Sequence, residues 1–148
     1  MKFSASVDID QPIDKVAALF ADPSNLKDYH PGFLRKKLIS GTAGEKGAVS
    51  MMYYQFRKHE MELKETILCN DLPESFNGLY EHKHMDNTMK STFVALNDQQ
   101  TRYTAEIHYT RIAWVMPRLM TILFPNMFKK QTQKWLNSFK DFVESRSD

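Results

Sequence analysis

The sequence predicts an α+β domain in which a curved antiparallel sheet wraps around one long C-terminal helix. An alternating strand opens the chain, two short helices and a run of six strand-like segments follow, and a strongly amphipathic helix closes it. An isolated amphipathic helix is only marginally stable in water, so this helix must pack on the strands. We expect a single domain over residues 1–148, because this length suits one hydrophobic core.

The first segment, residues 2–9, alternates between polar and apolar side chains. Its apolar positions are Phe3, Ala5, Val7 and Ile9. A period of two residues is typical of a strand that is buried on one face.

Two short helices are predicted next. Residues 13–21 carry apolar side chains at helical spacing, and Pro12 occupies the expected first helical position. Asp22-Pro23 ends this helix, because the residue before a proline avoids the helical region. A second helix is predicted over residues 24–29, with Ser24 or Asp22 as its cap and His30-Pro31-Gly32 as its end.

Six strands with short turns then predict an antiparallel meander. They cover residues 33–40, 48–58, 61–69, 75–85, 88–96 and 101–110, with a glycine-bearing turn at 41–47 and a further turn at Asp86-Asn87. On the last strand, Tyr103, Ala105, Ile107 and Tyr109 are expected to face the long helix. Strands 48–58 and 75–85 have apolar side chains on both faces, so their orientation stays open.

The long helix is predicted from Asn126 to about Ser145, with Pro125 before it and Asn126 as its cap. A further helical stretch, residues 112–124, precedes it and is interrupted by Pro117. The apolar stripe of the long helix contains Phe128, Thr132, Trp135, Leu136, Phe139, Phe142 and Val143. We expect this stripe, including Trp135, to form one wall of the core.

Composition excludes several classes of protein. The chain is 42% hydrophobic and 26% charged, which is ordinary for a globular domain. A net charge of +2 is too small for a nucleic-acid binder that depends on charge. Cys69 has no partner for an internal disulfide and is predicted to be a small buried residue. The first residues lack a secretory leader and no segment is long enough to span a membrane, so we expect a cytoplasmic protein.

Several local patterns point to a known superfamily. Residues 7–16, VDIDQPIDKV, join an alternating strand to a proline-started helix, and Tyr29 lies shortly before Pro31-Gly32. A glycine-bearing hairpin covers residues 41–47, and residues 72–76, LPESF, lead into a strand with a proline. Together these patterns resemble the START-like superfamily, also called SRPBCC or Bet v 1-like, which includes the polyketide cyclases.

The resemblance implies a helix-grip fold, in which seven antiparallel strands hold the long helix with a cavity for an apolar molecule between them. Its members bind lipids, sterols or polyketides, catalyse a few cyclisations or dehydrations, or act as co-chaperones. We therefore expect binding or transport of a hydrophobic small molecule or lipid, without a cofactor. A cyclase- or dehydratase-like enzyme that uses a cavity carboxylate and a co-chaperone-like interaction module are the alternatives, because one fold hosts many functions.

Candidate ligand-binding residues are the aromatic and aliphatic side chains expected around that cavity. They are Tyr54, Phe56, Tyr80, Phe93, Tyr103, Ile107, Tyr109, Phe128 and Trp135. Nine methionines and an aromatic fraction of 12% suit an adaptable apolar site, although filling a core is the commoner role of such residues.

Glu65 is the candidate catalytic residue, because it is the one acid on an otherwise apolar strand face. That face also contains Met61, Leu63, Ile67 and Cys69. A carboxyl group beside an apolar cavity can act as a general acid or base, since desolvation favours its neutral form. The alternative is structural: a charge at a sheet edge, or an ion pair with Arg57 or Arg35.

His82 and His84 lie two residues apart on a predicted strand, where both imidazoles would share a face. A metal would need a third ligand from His59, His108 or a carboxylate, and the spacing does not require one. We predict no functional metal site.

A basic cluster is predicted near the start of the long helix, where Lys129, Lys130 and Lys134 lie close to Arg111 and Arg118. It suits peripheral contact with anionic lipid headgroups, although a solvated helix face is the commoner explanation. The expected partner is thus a hydrophobic small molecule or lipid, with no nucleic acid and no integral membrane segment. The chain is expected to be a monomer or a homodimer.

Overall fold

A seven-stranded antiparallel sheet and a long C-terminal helix form the protein, as the sequence predicts. The computed structural model describes residues 1–113 and 125–146. The strands are β1 (Lys2–Ile9), β2 (Phe33–Ser40), β3 (Val49–Phe56), β4 (His59–Asp71), β5 (Ser75–Glu81), β6 (Met85–Asn97) and β7 (Gln100–Ile112). The helices are α1 (Ile13–Ala21), α2 (Leu26–Tyr29) and α3 (Pro125–Ser145). The helical stretch predicted before α3 falls almost wholly outside the described residues.

The strands follow the spatial order β1-β7-β6-β5-β4-β3-β2. Consecutive strands from β2 to β7 form hairpins, and β1 closes the order by pairing antiparallel with β7. The backbone of α3 runs mainly along β1, with smaller approaches to α2 and β7. Side chains therefore have to cross the wider gap between α3 and the central strands β3–β6.

Two local predictions about the sheet are wrong. The turn between β5 and β6 lies at residues 82–84, where the amide of His82 donates to the carbonyl of Met85 at 2.8 Å. Asp86 and Asn87 instead pair with β7 inside β6, because ladder pairing outweighs their local turn preference. Cys69 is partly exposed, since a bulge after Ile67 shifts the register, and its thiol donates to Asp71 at 3.0 Å.

The helix starts agree closely with the predictions. Pro12 immediately precedes α1, and α3 begins at Pro125, one residue earlier than predicted. A 3₁₀ turn, Pro23–Asn25, precedes α2. Asp22 is its cap, because the carboxylate accepts the backbone N–H of Ser24 at 2.9 Å.

Aromatic side chains fill one end of the space between the sheet and α3. The ring of Phe20 on α1 meets four aromatic rings edge-on at centroid distances of 5.2 to 6.1 Å. These rings belong to Phe76, Phe93, Tyr103 and Phe139. Edge-to-face packing of this kind stabilises a core beyond its buried area. The helix α1 is therefore fixed against both the sheet and α3, and Tyr29 of α2 packs on Phe139 of α3 at 4.9 Å.

Five of the seven residues in the apolar stripe of α3 are buried, Phe128 is half-buried and Trp135 is exposed. Thr132, Leu136, Phe139, Phe142 and Val143 are all buried. The expectation that Trp135 forms part of the core wall is wrong, because 38% of its surface is exposed. At 100° per residue Trp135 falls at the border of the stripe, where a large ring reaches solvent.

Candidate functional site

The sheet register decides which side chains of β3, β4 and β5 face α3. Glu65 on β4 lies between Ser50 on β3 and Tyr80 on β5. Met52 is only 2% exposed and Glu65 only 5%, so this face of the sheet is the inner one. Opposed residues share a face of a sheet, and the register therefore also turns Tyr80 inward.

Five polar or titratable side chains come together on this inner surface: His30, Lys36, Tyr54, Glu65 and Tyr80. We call them the inner polar cluster. Lys36 Nζ lies 2.8 Å from Glu65 Oε1. The hydroxyl of Tyr80 donates to Glu65 Oε2 at 2.9 Å. His30 Nδ1 and the Tyr54 hydroxyl share a hydrogen bond of 2.9 Å.

The surroundings of Glu65 differ from both structural alternatives that the sequence suggested. Its strand β4 lies inside the sheet, so Glu65 is not an edge charge. Its partner is Lys36 rather than an arginine, and Arg35 pairs with Glu60 instead. Each carboxylate oxygen thus has a donor, as a buried charge requires.

The sequence did not predict that Lys36 faces inward, because a bulge in β2 interrupts the alternation of side chains. Simple alternation from Phe33 would turn Arg35 inward and Lys36 outward. A register shift between Phe33 and Arg35 reverses this, and Lys36 lies opposite the inward-facing Met52. His30, which follows α2, was likewise missed, because only the tertiary packing brings it to Tyr54.

The titrations of the cluster follow from burial and from the charge of Glu65. Burial lowers the pKa of His30 to about 4, against the opposing effect of Glu65. Burial, followed by the charge of Glu65 and the hydrogen bond to it, raises the pKa of Tyr80 well above its ordinary value. Burial and the same charge also raise the pKa of Tyr54. At neutral pH the cluster therefore contains a neutral imidazole and two neutral phenols.

Lys36 is the most accessible charged group of this arrangement. Its side chain is 25% exposed, whereas that of Glu65 is 6% exposed. The ammonium group can donate to a carbonyl or hydroxyl oxygen while it keeps its contact with Glu65, since it carries three protons. Chemically, the cluster can hold the polar end of a molecule whose remainder lies on apolar side chains.

The predicted ligand-binding residues fall into four groups. Tyr54 and Tyr80 belong to the inner polar cluster, whereas Phe93, Tyr103 and Ile107 are buried in the core. The hydroxyl of Tyr103 is 2.9 Å from Ser91 Oγ, which supplies its partner inside the core. In the third group, Tyr109 and Phe128 pack together at the start of α3. In the fourth group, Phe56 and Trp135 lie at the surface.

Phe56 and Trp135 therefore do not line the inner surface. Phe56 is 61% exposed at the end of β3, next to the hairpin that leads into β4. Trp135 lies on the outer border of α3. The expectation that these two side chains lie around an inner cavity is wrong about their position, because β3 ends at Phe56 and α3 turns Trp135 to its border.

His82 and His84 lie in the β5–β6 turn rather than on a strand. Their ring centroids are 5.7 Å apart. Within residues 1–113 and 125–146, no group of three or more His, Cys, Asp or Glu side chains is arranged to hold a metal ion.

In the described part of the predicted basic cluster, Arg111 has an acidic partner and the lysines of α3 are exposed. Arg111 forms an ion pair with Asp86 at 2.7 Å. Arg118 lies outside the described residues. Lys129, Lys130 and Lys134 are all exposed on α3. None of the helices described is long and apolar enough to cross a membrane.

Two depressions lined by described residues lie away from the inner polar cluster. One runs between α2 and α3, where Asp28 and Phe142 form part of its wall. The other crosses the outer surface of the sheet near Met51 and His82.

Comparison with known proteins identifies the fold. No protein-family model matches the chain, and no curated protein matches it in sequence. The Zhui aromatase/cyclase from Streptomyces sp. R1128 aligns with a TM-score of 0.79 at 11% identity, over 100% of this chain and 96% of that one. A START superfamily protein from Mycobacterium smegmatis aligns with a TM-score of 0.73 at 11% identity, over 98% and 95%.

Norcoclaurine synthase from Thalictrum flavum, in complex with dopamine and hydroxybenzaldehyde, aligns with a TM-score of 0.72 at 14% identity, over 100% of this chain and 88% of that one. All three alignments span nearly the full chain, so they compare the whole strand order and α3 rather than a shared fragment. This chain has the helix-grip fold of the START and Bet v 1-like proteins.

Proposed function

We propose that this protein binds an apolar small molecule or lipid between α3 and the inner surface of β3–β6, with a polar end of the molecule at the inner polar cluster. The observation that carries the proposal is the ion pair of Lys36 and Glu65, with Tyr80 bonded to it, on an inner surface that also carries the apolar side chains of the core. Small-molecule sites typically combine apolar walls with a few placed polar groups. In this proposal the protein works in the cytoplasm and needs no cofactor.

The apolar walls come from the same register that turns the cluster inward. Met52, Leu63 and Met89 belong to the core or pack against it, on strands β3, β4 and β6. Methionine has three rotatable bonds and a polarisable sulfur, which lets such a wall adapt to different apolar surfaces. We infer that the ligand contacts these side chains and directs a hydroxyl or carbonyl group towards Lys36.

One solved relative supports an aromatic or partly aromatic ligand. The Thalictrum flavum protein was solved with dopamine and hydroxybenzaldehyde, two small molecules that each combine one aromatic ring with polar groups. A ligand of this kind would suit Tyr54 and Tyr80, whose phenols supply both ring surface and hydroxyl groups.

Native mass spectrometry of the purified protein and titration with an apolar dye such as anilinonaphthalene sulfonate test the proposal together. We expect a co-purifying small molecule, or saturable dye binding at micromolar concentration. Leu63→Phe adds volume on the inner surface and should weaken dye binding at least about tenfold, which corresponds to about 1.4 kcal/mol. Val94→Phe adds a similar ring on the exposed face of β6 and should leave binding unchanged.

Thermal unfolding, monitored by circular dichroism, shows whether both variants are folded. Equal dye binding by the wild-type protein and both variants would contradict an inner site. Absence of any bound molecule, together with absence of dye binding, would contradict the proposal as a whole.

An enzyme of the cyclase or dehydratase type is the second candidate, and the buried Glu65 favours it. The carboxylate could take a proton from a bound substrate, and Lys36 could stabilise the negative charge that develops on an oxygen. Glu65→Gln keeps the side-chain shape and removes the base. If the protein is a carrier, the molecule that co-purifies with the Glu65→Gln variant should have the same mass as the one that co-purifies with the wild-type protein. An enzyme would instead leave a different species bound to the variant.

The exposed apolar residues of β2 are the observation that favours an interaction module. Leu34 and Leu38 are each 44% exposed and Ile39 is 56% exposed on this edge strand. However, bulges interrupt β2 at both ends, and Arg35 and Lys37 point outward from it. Bulges and basic side chains are common devices that protect edge strands from pairing, so we rank this function third.

A further inference from the structure

The outer face of α3 combines apolar and basic side chains over its first three turns. Met127 is 49% exposed and Trp135 is 38% exposed. Together with the exposed Gln131 they follow one another at intervals of four residues, which places them in one row along the helix. Lys130 and Lys134 form a second exposed row beside it. We call these five residues the α3 outer face.

The opposite side of the same turns packs against the sheet, and the α3 outer face therefore points away from the sheet. Phe128 stacks on Phe3 at a centroid distance of 6.0 Å and meets Tyr109 edge-on at 5.6 Å. Thr132 is 2% exposed. Because Phe128 and Thr132 point to the sheet, Met127, Lys130 and Lys134 must point away from it.

The charges of α3 are unevenly distributed along its length. No acidic residue occurs between Asn126 and Lys140, and the acids Asp141 and Glu144 lie in the last turns. Lys140 is engaged with Glu144 and with the carbonyl of Asp8. Among the described residues, by contrast, Lys130 and Lys134 have no acidic side chain within ion-pair distance. The first half of the helix is therefore a positively charged surface with exposed apolar side chains.

We propose that the α3 outer face docks on an anionic lipid bilayer surface. Tryptophan favours the boundary between headgroups and acyl chains, and methionine adds apolar area that can enter this layer. Lysines beside it can contact anionic headgroups while their alkyl stems lie along the apolar residues. The row from Met127 to Trp135 is about 12 Å long, so all five residues can meet a flat surface at once.

Sedimentation with lipid vesicles tests this docking. Wild-type protein should partition onto vesicles of equimolar phosphatidylcholine and phosphatidylglycerol more strongly than onto pure phosphatidylcholine vesicles. Raising the salt from about 0.1 M to about 0.5 M should weaken the binding, because the screening length becomes shorter. The double variant Lys130→Glu/Lys134→Glu should lower the partition coefficient by roughly tenfold or more, given the contribution of each basic residue near an anionic surface.

Two further variants separate docking from simple attraction between charges. Lys37→Glu/Lys46→Glu changes the net charge equally on exposed residues of the sheet edge and its turn, and should reduce binding much less. Trp135→Ala should weaken binding several-fold without changing the net charge. Circular dichroism shows whether each variant remains folded.

Equal binding to both kinds of vesicle would overturn the proposal. It would also be overturned if the two charge-reversed variants lost vesicle binding equally. Vesicle binding that is unchanged in Lys130→Glu/Lys134→Glu would overturn it as well. If the outer face bound an acidic polypeptide such as polyglutamate but no anionic vesicle, the partner would be a protein and the proposal would be wrong. None of these outcomes depends on the ligand site, since the α3 outer face shares no residue with the inner polar cluster.

Discussion

The ring of Tyr80 lies directly over the α-carbon of Gly78. A β-carbon at position 78 would come within 2.9 Å of both the hydroxyl oxygen and a ring carbon of Tyr80. Glycine inside a strand often marks such a close approach. The missing side chain therefore allows Tyr80 to lie along the sheet and to place its hydroxyl on Glu65.

Gly78→Ala should accordingly displace the Tyr80 ring and break its hydrogen bond with Glu65. We expect a loss of about 1–3 kcal/mol in the free energy of unfolding, the usual cost of overpacking a well-packed site. Urea unfolding measures it. Tyr80→Phe is the matched control, because it removes the same hydrogen bond without moving the ring. A neutral Gly78→Ala variant would contradict this account of Tyr80.

Removing Lys36 should destabilise the protein more than neutralising Glu65. Lys36→Met leaves the buried carboxylate of Glu65 without its counter-charge, whereas in Glu65→Gln the more exposed ammonium group of Lys36 can move towards water. We expect a loss of about 3 kcal/mol for Lys36→Met, near the lower end for a broken buried ion pair. Urea unfolding of both single variants and the double variant checks the asymmetry.

Lys64→Met is a suitable control for the pair. Lys64 lies next to Glu65 in sequence but faces outward, where it is 3.5 Å from Glu81 and both side chains are well exposed. Exposed pairs contribute little, so this variant should lose less than about 1 kcal/mol. If Lys36→Met and Lys64→Met lowered the free energy of unfolding by similar amounts, the Lys36–Glu65 pair would contribute no more than an exposed ion pair.

Stability should fall as the pH drops from about 6.5 to about 4 because of His30. Burial lowers the pKa of His30 from 6.5 to about 4, so the unfolded chain takes up a proton in this range before the folded chain does. The stability contributed by neutral His30 is complete above pH 6.5 and is lost towards pH 4. A shift of this size corresponds to about 3 kcal/mol.

His30→Gln isolates this contribution, because glutamine can still bond to the hydroxyl of Tyr54 but does not titrate. Urea unfolding at several pH values should show a shallower acid loss in the variant than in the wild-type protein. Identical pH profiles would mean that His30 titrates alike in the folded and unfolded states.

Two adjacent residues of α3 should respond differently to truncation. Leu136 is 1% exposed, and Leu136→Ala should cost about 2–5 kcal/mol, the usual range for a core leucine. Trp135→Ala should cost only about 1–2 kcal/mol, because part of the ring is already in water. Urea unfolding distinguishes the two. A larger loss for Trp135→Ala than for Leu136→Ala would mean that α3 is rotated relative to its described position.

Local periodicity was enough to predict much of this fold. The alternation of residues 2–9 predicted β1, and the inward face of β7 was predicted through Tyr103, Ala105 and Ile107, all of which are buried. The spacing of apolar residues predicted α3 to within one residue at its start. These features depend on contacts between near neighbours in sequence, which a period of two or of 3.6 residues reports directly.

The inner polar cluster could be predicted only in part. The sequence identified Glu65 as the one acid on an apolar strand face, and the structure places it on the inner surface at 5% exposure. Its neighbours in the cluster could not be predicted from the sequence. A bulge in β2 turns Lys36 inward, and the loop after α2 brings His30 to Tyr54. Bulges break the period of two, so alternation alone assigns the wrong face beyond them.

The sequence by itself therefore determined the order of the elements, the inward faces of β1 and β7, and the centre of the stripe of α3. Only the tertiary structure decided that Lys36 pairs with Glu65, that Tyr80 lies on Gly78, and that Trp135 reaches the surface. The physical reason is the range of the interactions. Helix and strand periods come from local backbone geometry, whereas these contacts depend on sheet register and on how α3 is rotated against β1.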